Sequence, residues 1–342
     1  INKSQDATFT SQYDGKIGYG LNTQYRYYWT DNIKGQWDIE LFKDTTPPAG
    51  DIKRTRLNLD ITQNADFKKY GDLKADIHYL SNKNNLRVIN DDNMQLTSNR
   101  HTSSKLMYAL QNGPYFLDIN NYFYQNLVAS NNSQTLQKLP EVFMGATNLD
   151  IYKKLSLDIS SLYSYNYRQD GLRGNVLDIS PSFSYPFKIG FINFLPKAGI
   201  HYLFSNYSNG LTGSQSSVVP NLSLTARTSF FKIYDLSSGN SYKHIIAPEV
   251  SYTFVPKVKQ EFPDFVNTYP QKSALDLTLE NTIIKRTVND KGEADYREIF
   301  YNKITQEYRF ANYANSQIKP IDPVETYMSP RYVYSNGPIY EE

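Results

Sequence analysis

The chain contains 342 residues with no cysteine and a formal net charge of +2, and its mean hydropathy is −0.58. Because a nucleic-acid-binding surface requires a clear basic excess, this charge gives no support for a nucleic-acid partner. The lack of cysteine excludes disulfides, thiolate zinc sites and cysteine nucleophiles. No apolar run approaches the roughly 20 residues of a membrane-spanning helix.

Strand-like alternation begins near Gly15 and recurs along nearly the whole chain. In each stretch apolar residues occupy one face and polar residues the other, which is typical of strands that are buried on one side only. Clusters rich in Asn, Gly and Ser separate the stretches and predict turns. The clearest stretches are GKIGYGLNTQY (15–25), RLNLDIT (56–62), GDLKADIHYL (71–80), VLDISPSFSYPF (176–187) and SALDLTLENTI (273–283).

This pattern predicts an all-β, antiparallel fold, which could be a soluble sandwich or propeller or a transmembrane β-barrel. Charges in the middle of strands and tyrosine clusters near strand ends favour the barrel, with its wet interior and aromatic girdles. On that interpretation the polar faces line the lumen. The candidate lumen-facing residues are Asp178, Ser180, Ser182, Ser184, Asp276, Thr278 and Glu280.

The sequence contains no recognisable catalytic or metal-binding motif. The four histidines, which lie far apart, lack any metal-ligand spacing, and no serine can be singled out as the partner of one of them for lipid hydrolysis. The Asn-Asp run at 90–93 lacks calcium-loop spacing and is interpreted as an exposed polar loop. We therefore predict no enzyme activity, no cofactor and no metal site. The histidines are His78, His101, His201 and His244.

Prolines interrupt the strand-like segments of the second half of the chain. Since proline cannot donate a hydrogen bond to a β-ladder, we expect these prolines at strand ends, beside bulges or on weakly paired strands. Their order, together with Arg173 ahead of them, resembles the middle of the lipopolysaccharide-assembly protein (LptD) family over roughly residues 140–285. The positions that match the family's pattern are Pro181, Pro186, Pro248, Tyr252, Pro256, Gln260 and Pro263.

The resemblance implies a large antiparallel transmembrane β-barrel in the outer membrane of a Gram-negative bacterium. The implied function is the insertion of lipopolysaccharide into the outer leaflet through a hydrated lumen and a lateral gate. The implied partners are lipopolysaccharide, membrane lipid, an LptE-like plug lipoprotein and an LptA-like periplasmic bridge protein. Because barrel-like strands begin near Gly15 and the chain is short for such a ring, we expect residues 1–342 to form one barrel segment without the periplasmic jellyroll.

A lateral gate requires a weakly paired seam, and glycine weakens strand pairing. The candidate gate residues are Gly15, Gly18 and Gly20 in the first strand-like stretch and Gly35 before the next. An ordinary turn followed by a strand accounts for these glycines equally well. Two other functions remain open on sequence grounds: a general porin or receptor barrel, and a soluble all-β carbohydrate-binding domain.

Overall fold

The computed structural model describes residues 4–15, 18–45, 55–82, 101–129, 131–208, 212–236, 240–288 and 293–310, and the short segments 325–327 and 331–332. These residues form one antiparallel sheet of nineteen strands and one 3-10 turn (Lys68–Tyr70). Across those ranges, no helix has the length and apolarity needed to cross a membrane. The strands are β1 (Gln5–Asp14), β2 (Gly18–Thr30), β3 (Ile33–Asp44), β4 (Thr55–Asp66), β5 (Asp72–Leu80), β6 (His101–Asn112), β7 (Tyr115–Asn126), β8 (Gln137–Tyr152), β9 (Leu155–Tyr167), β10 (Arg173–Ser184), β11 (Phe187–Ile189), β12 (Ile192–Ser208), β13 (Thr212–Arg227), β14 (Phe230–Asp235), β15 (Ser241–Val255), β16 (Lys272–Val288), β17 (Ala294–Arg309), β18 (Glu325–Tyr327) and β19 (Arg331–Tyr332).

The strands follow one another as a meander, each pairing with its neighbours in sequence. The short strands β11 and β14 extend β10 and β13 and pair with β12 and β15. The sheet begins earlier than predicted, because β1 precedes Gly15 and pairs with β2 along its whole length. The stretch predicted as the first strand is therefore β2, which has a partner on each side.

The two faces of the sheet differ sharply in polarity, and β16 shows this most simply. Leu277 and Leu279 are 45% and 39% exposed on one face, and Asp276, Thr278 and Glu280 alternate with them on the other. We call these the apolar face and the polar face, and the pairing register carries both from β10 to β17. All described strands belong to one sheet, so none of them forms a second layer over the apolar face. The all-β antiparallel prediction is confirmed, and the apolar residues are exposed where a soluble sandwich would bury them.

The prolines lie where the β-ladder is interrupted. Pro181 stays in register with β9, but the pairing of β10 with β12 stops at Ile179 and resumes at Ser182. Pro248 lies opposite the break between β13 and β14, where its carbonyl accepts a hydrogen bond from Thr228 N at 3.2 Å. At these breaks the missing N–H group leaves no ladder bond unmade. Two others lie outside strands: Pro186 between β10 and β11, and Pro256 directly after β15.

The two ends of the sheet have connections of different length. At one end the turns are short, as at 31–32, 113–114, 153–154 and 190–191. The connections at the opposite end include 45–54, 81–100, 127–136 and 256–271. In outer-membrane barrels short turns face the periplasm and longer loops face outward. We therefore call these the short-turn end and the long-loop end.

The strand β13 marks a step in the sheet. It pairs with β12 along its whole length, but only its residues Leu222–Arg227 pair with β15. Towards the long-loop end, β15 and β16 stop short of the top of β13. The connection between those two strands leaves the sheet at this step, and it builds the site described next.

Candidate functional site

The connection 256–271, which we call the strap, folds back onto the polar face of the sheet. Its Val266 is buried and packs against Val176 of β10 and Leu203 of β12. Phe262 and Phe265 of the strap flank this contact. Burying these apolar side chains stabilises the strap on the wall, because each removes apolar area from water.

The strap has no regular secondary structure, and side-chain bonds hold its shape. The amide of Gln260 donates to Tyr269 O at 2.6 Å and accepts from Tyr269 N at 2.9 Å. A turn follows Pro263, whose carbonyl accepts a hydrogen bond from Val266 N at 3.0 Å. The predicted motif residues Gln260 and Pro263 therefore stabilise the conformation of the strap. In these contacts both residues form hydrogen bonds within the strap itself.

A polar cluster joins the end of the strap to the wall. The ring of Tyr269 stacks on the ring of His201, with centroids 3.7 Å apart and planes 20° apart. Its hydroxyl donates a hydrogen bond to Asp178 Oδ2. We call this arrangement the latch; its members are Asp178, Ser180, His201, Asn221 and Tyr269.

The hydrogen bonds of the latch define one consistent direction of donation. Asn221 Nδ2 lies 3.0 Å from His201 Nε2, Ser180 Oγ lies 2.6 Å from His201 Nδ1, and Ser180 Oγ donates to Asp178 Oδ1 at 2.9 Å. If Asn221 donates to Nε2, the histidine is neutral with its proton on Nδ1, and that proton goes to Ser180. Each hydroxyl and imidazole proton then has an acceptor, so the latch is a satisfied polar network.

The electrostatics of the latch keep its tyrosine protonated. Burial, and then the hydrogen bond to Asp178, raise the pKa of Tyr269 well above its ordinary value of 10.0. A phenolate beside that carboxylate would place two negative charges in contact, which is unfavourable. Tyr269 is therefore a donor throughout the physiological pH range.

The latch geometry is not that of a hydrolase. Ser180 bonds to Nδ1 of His201 while the tyrosine ring covers the imidazole, and its proton already goes to Asp178. A nucleophilic serine needs its oxygen open to substrate and its proton passed to the histidine. Within the described ranges, no three His, Asp or Glu side chains are grouped to hold a metal ion.

An ion pair also connects the strap to the wall at the long-loop end. Arg168, which follows β9, forms an ion pair with Asp264 of the strap at 2.8 Å and also bonds to the carbonyl of Leu172. The Asp264 side chain is 63% exposed, so this pair contributes about 0–1 kcal/mol. The strap is thus held mainly by its apolar contact and its latch.

The structure separates the predicted lumen-facing residues into two groups. Asp178 and Ser180 belong to the latch, and Ser182 and Ser184 follow them along β10. The other three lie on the polar face of β16, away from the strap contacts. There Glu280 pairs with Arg227 at 2.8 Å and Lys303 at 3.8 Å, Thr278 bonds to Thr305 at 3.1 Å, and Asp276 lies 4.0 Å from Lys272. All seven lie on one face of the sheet, and that this face lines a lumen stays a prediction.

The remaining predicted positions have other surroundings. Tyr252 lies on the apolar face, and its hydroxyl bonds to Ser273 Oγ at 2.9 Å. The Asn-Asp run at 90–93 lies outside the described residues. His78 contacts Asp60 and Asp76 on the polar face at 2.6 and 2.9 Å.

Two of the candidate gate glycines lie against aromatic rings: Gly20 of β2 and Gly35 of β3. A Cβ on Gly20 would lie 2.6 Å from the ring of Phe42, and one on Gly35 would lie 2.7 Å from the hydroxyl of Tyr27. Gly18 has φ +155° and abuts Lys43 O, whereas Gly15 lies in the open β1–β2 turn. The stretch that carries Gly18 and Gly20 is the second strand, because β1 precedes it and pairs with it; a gating role for these glycines stays a prediction.

Sequence reasoning missed the residues that complete the latch. His201 was considered there only as a metal ligand or catalytic base, and no role was assigned to Asn221, Tyr269 or Arg168. The register of β12 and β13 places His201 and Asn221 on the polar face with Asp178. Nothing in the sequence pairs Tyr269 with a strand 91 residues earlier.

A single antiparallel sheet with an exposed apolar face, a polar opposite face and a connection folded onto it has the organisation of an outer-membrane β-barrel wall. The sequence model of the LptD family, described as LPS transport system D, matches residues 54–278, and the chain belongs to this family. The chain is thus an outer-membrane protein, and the matched region contains the strap and the latch.

A curated relative and two solved structures are also similar to the chain. The LPS-assembly protein LptD of Methylococcus capsulatus is 27% identical over 205 residues, which covers 57% of the chain and 19% of the relative. The chain therefore spans about a fifth of that relative's length. Outer-membrane expressed OmpT of Vibrio cholerae aligns at 10% identity over 96% of each chain with a TM-score of 0.26. The anion-selective porin from Comamonas acidovorans aligns at 10% identity over 95% and 94% with a TM-score of 0.28. Superpositions at these TM-scores do not bear on the assignment.

Proposed function

We propose that the chain forms part of the wall of a translocon that carries lipopolysaccharide to the outer leaflet, with the polar face lining a hydrated lumen. Membership of the family supports the transport class. The polar face supports the lumen, since sugars and phosphates pass more easily along hydroxyls and paired charges than along hydrocarbon. No bond is made or broken in this process.

The observation that carries the proposal is the strap latched onto the polar face. A connection in that position narrows the lumen beside β10 and β12. The strap must therefore either move aside for the passing lipopolysaccharide or contact it. Its hold on the wall combines one apolar cluster with a small set of hydrogen bonds. We expect these contacts to break when the strap moves during transport, and to re-form and restrict passage through the lumen at rest.

The test is to lock the strap in place. Residues 1–342 contain no cysteine, so within them Arg168→Cys and Asp264→Cys supply the only thiols. In the full-length protein, with any cysteine elsewhere replaced by serine, a short bifunctional thiol crosslinker can join these two. We expect the crosslinked protein to stop delivering lipopolysaccharide to the cell surface. Each single cysteine variant, treated with the same reagent, is the control. Delivery at the wild-type rate with the strap crosslinked would exclude a moving strap.

We propose that a lateral exit lies beside β2, because Gly18 and Gly20 lack the side chains that would stiffen this strand. Disulfides between cysteine pairs that join β1 to β2 along their paired residues should then block export. Normal export with these two strands joined would rule out an exit between them.

The partners we propose are lipopolysaccharide, surrounding membrane lipid, an LptE-like plug lipoprotein inside the lumen and an LptA-like periplasmic bridge protein. Charges of both signs on the polar face, such as Arg227 with Glu280, offer contacts for a plug. Affinity purification of the full-length protein should recover a plug lipoprotein in a fixed ratio. Recovery of the barrel alone under mild detergent would favour a simple porin.

A further inference from the structure

A groove of about 520 Å³ opens on the sheet at the long-loop end of β9, β10, β12 and β13. Most of the side chains that line it belong to the apolar-face register, as shown by the cross-strand partners Tyr165 and Asn175, and Asn175 and Asn206. The groove therefore lies on the outer wall at the height of the outer membrane interface. This position is separate from the strap and the latch, which lie on the opposite face.

The chemistry of the groove is that of an anion site surrounded by sugar-like hydrogen-bonding groups. The guanidinium of Arg173 lies over the ring of Tyr167, 5.6 Å from its centroid. Asn175 Nδ2 donates to Asn206 Oδ1 at 2.8 Å, and hydroxyls of Ser208, Thr212 and Ser214 complete the rim. None of the residues that line the groove is acidic.

Arg173 differs from most described arginines in its ion pairing. Arg26, Arg168 and Arg227 each hold a carboxylate within 3 Å. No carboxylate pairs with Arg173 among the residues that the structure describes. An arginine fork held against an aromatic ring is well suited to bind a phosphate with two hydrogen bonds.

Hydrocarbon-facing residues continue directly below the groove. Tyr202 and Val218 are 37% and 50% exposed on the same face, with Leu177 beside them. A ligand that places an anionic sugar in the groove can therefore lay acyl chains along this part of the wall. Tyrosines of β9 stand at the boundary, as in the aromatic girdle of a barrel.

We propose that this groove binds the headgroup of a phosphorylated glycolipid of the outer leaflet, with Arg173 on the phosphate, the tyrosines against a sugar ring and the acyl chains along the wall. The site is external, so it holds lipid that is already in the leaflet. It goes beyond the translocation pathway through the lumen and does not depend on it.

The test is lipid retention by the full-length protein in nanodiscs, measured by native mass spectrometry with bisphosphorylated lipid A as the probe. Arg173→Gln should weaken retention about tenfold, as expected for the loss of a hydrogen bond to a charged group. Lys232→Gln is the matched control, because Lys232 also lies over a tyrosine ring on the apolar-face register, at the short-turn end. Retention by this control should match wild type.

Two further measurements keep the outcome clear. Ser214→Trp fills the groove while Arg173 stays in place, and it should also abolish retention if folding, followed by heat-modifiable gel migration, is intact. Phosphatidylglycerol and inorganic phosphate should compete poorly with lipid A. Phosphatidylglycerol lacks the sugar, and inorganic phosphate lacks both the sugar and the acyl chains. Wild-type retention by Arg173→Gln, equal loss in Lys232→Gln, or equal competition by phosphatidylglycerol would each overturn the proposal.

Discussion

Tyr269 donates its hydroxyl proton to Asp178, and this one bond ties a connection of irregular structure to a strand 91 residues earlier in the chain. The same ring stacks on His201. The two contacts are physically distinct, because one depends on the hydroxyl and the other on the ring. Substitutions can therefore separate them.

Tyr269→Phe removes the hydroxyl and keeps the ring. We expect it to lower the free energy of opening the strap by about 1–3 kcal/mol, since a largely buried carboxylate oxygen loses its hydrogen-bond donor. Hydrogen exchange of the strap peptide, measured by mass spectrometry, should rise accordingly. Tyr252→Phe, which removes a hydroxyl bonded to Ser273 on the apolar face, should leave strap exchange unchanged. Unchanged exchange in Tyr269→Phe would show that the hydroxyl contributes nothing to closure.

Gln260→Ala should loosen the strap from within. The variant loses both hydrogen bonds to the backbone of Tyr269. We expect this loss to destabilise the folded conformation of the strap by about 1–3 kcal/mol. Limited proteolysis between Pro256 and Gln271 should become faster. Lys259→Ala is the control, because its ion pair with Glu261 is exposed on both sides and contributes little. Equal proteolysis of the two variants would contradict a specific role for Gln260.

The ionisation of Tyr269 should open the latch in the alkaline range. The folded-state pKa of Tyr269 is raised above the unfolded value of 10.0, so its protonated form is the one that the fold stabilises. That stability is fully present below pH 10 and is lost as the pH rises through the higher folded value. Strap exchange, corrected for its intrinsic pH dependence, should be flat between about pH 7 and 9 and increase above about pH 10. Tyr269→Phe should show no such increase, and a matching increase in it would assign the effect to other groups.

Gly20→Val tests whether the glycines of β2 serve packing. The added side chain would collide with the ring of Phe42 and with Leu41 O, and overpacking of this kind costs about 1–3 kcal/mol. The temperature of heat-modifiable gel migration should fall. Gly15→Ala has open space around it, with its nearest contact at 3.8 Å, and should migrate as wild type. A Gly20→Val barrel as stable as wild type would leave gating as the better explanation of the glycine.

Most of the strands and their two faces could be predicted from the alternation of residues along the chain. Alternation is a local property, so Leu277 and Asp276 could be assigned to opposite faces without knowledge of any partner strand. The strand before Gly15 was missed, because the alternation in β1 (QDATFTSQYD) is short: Ala7, Phe9 and Tyr13 share one face, and Ser11 interrupts them. The prolines were expected at interruptions, and the breaks beside Pro181 and Pro248 confirm this.

The contacts of the strap with the polar face could not be predicted in this way. The strap has no periodicity, so its position depends on contacts with β10 and β12 that exist only in the folded sheet. Long-range contacts of Tyr269 and Val266 leave no local pattern, because the residues they meet are distant in sequence and ordinary in type. The groove at Arg173 is likewise a product of register, which brings the ends of four strands together at one height of the wall.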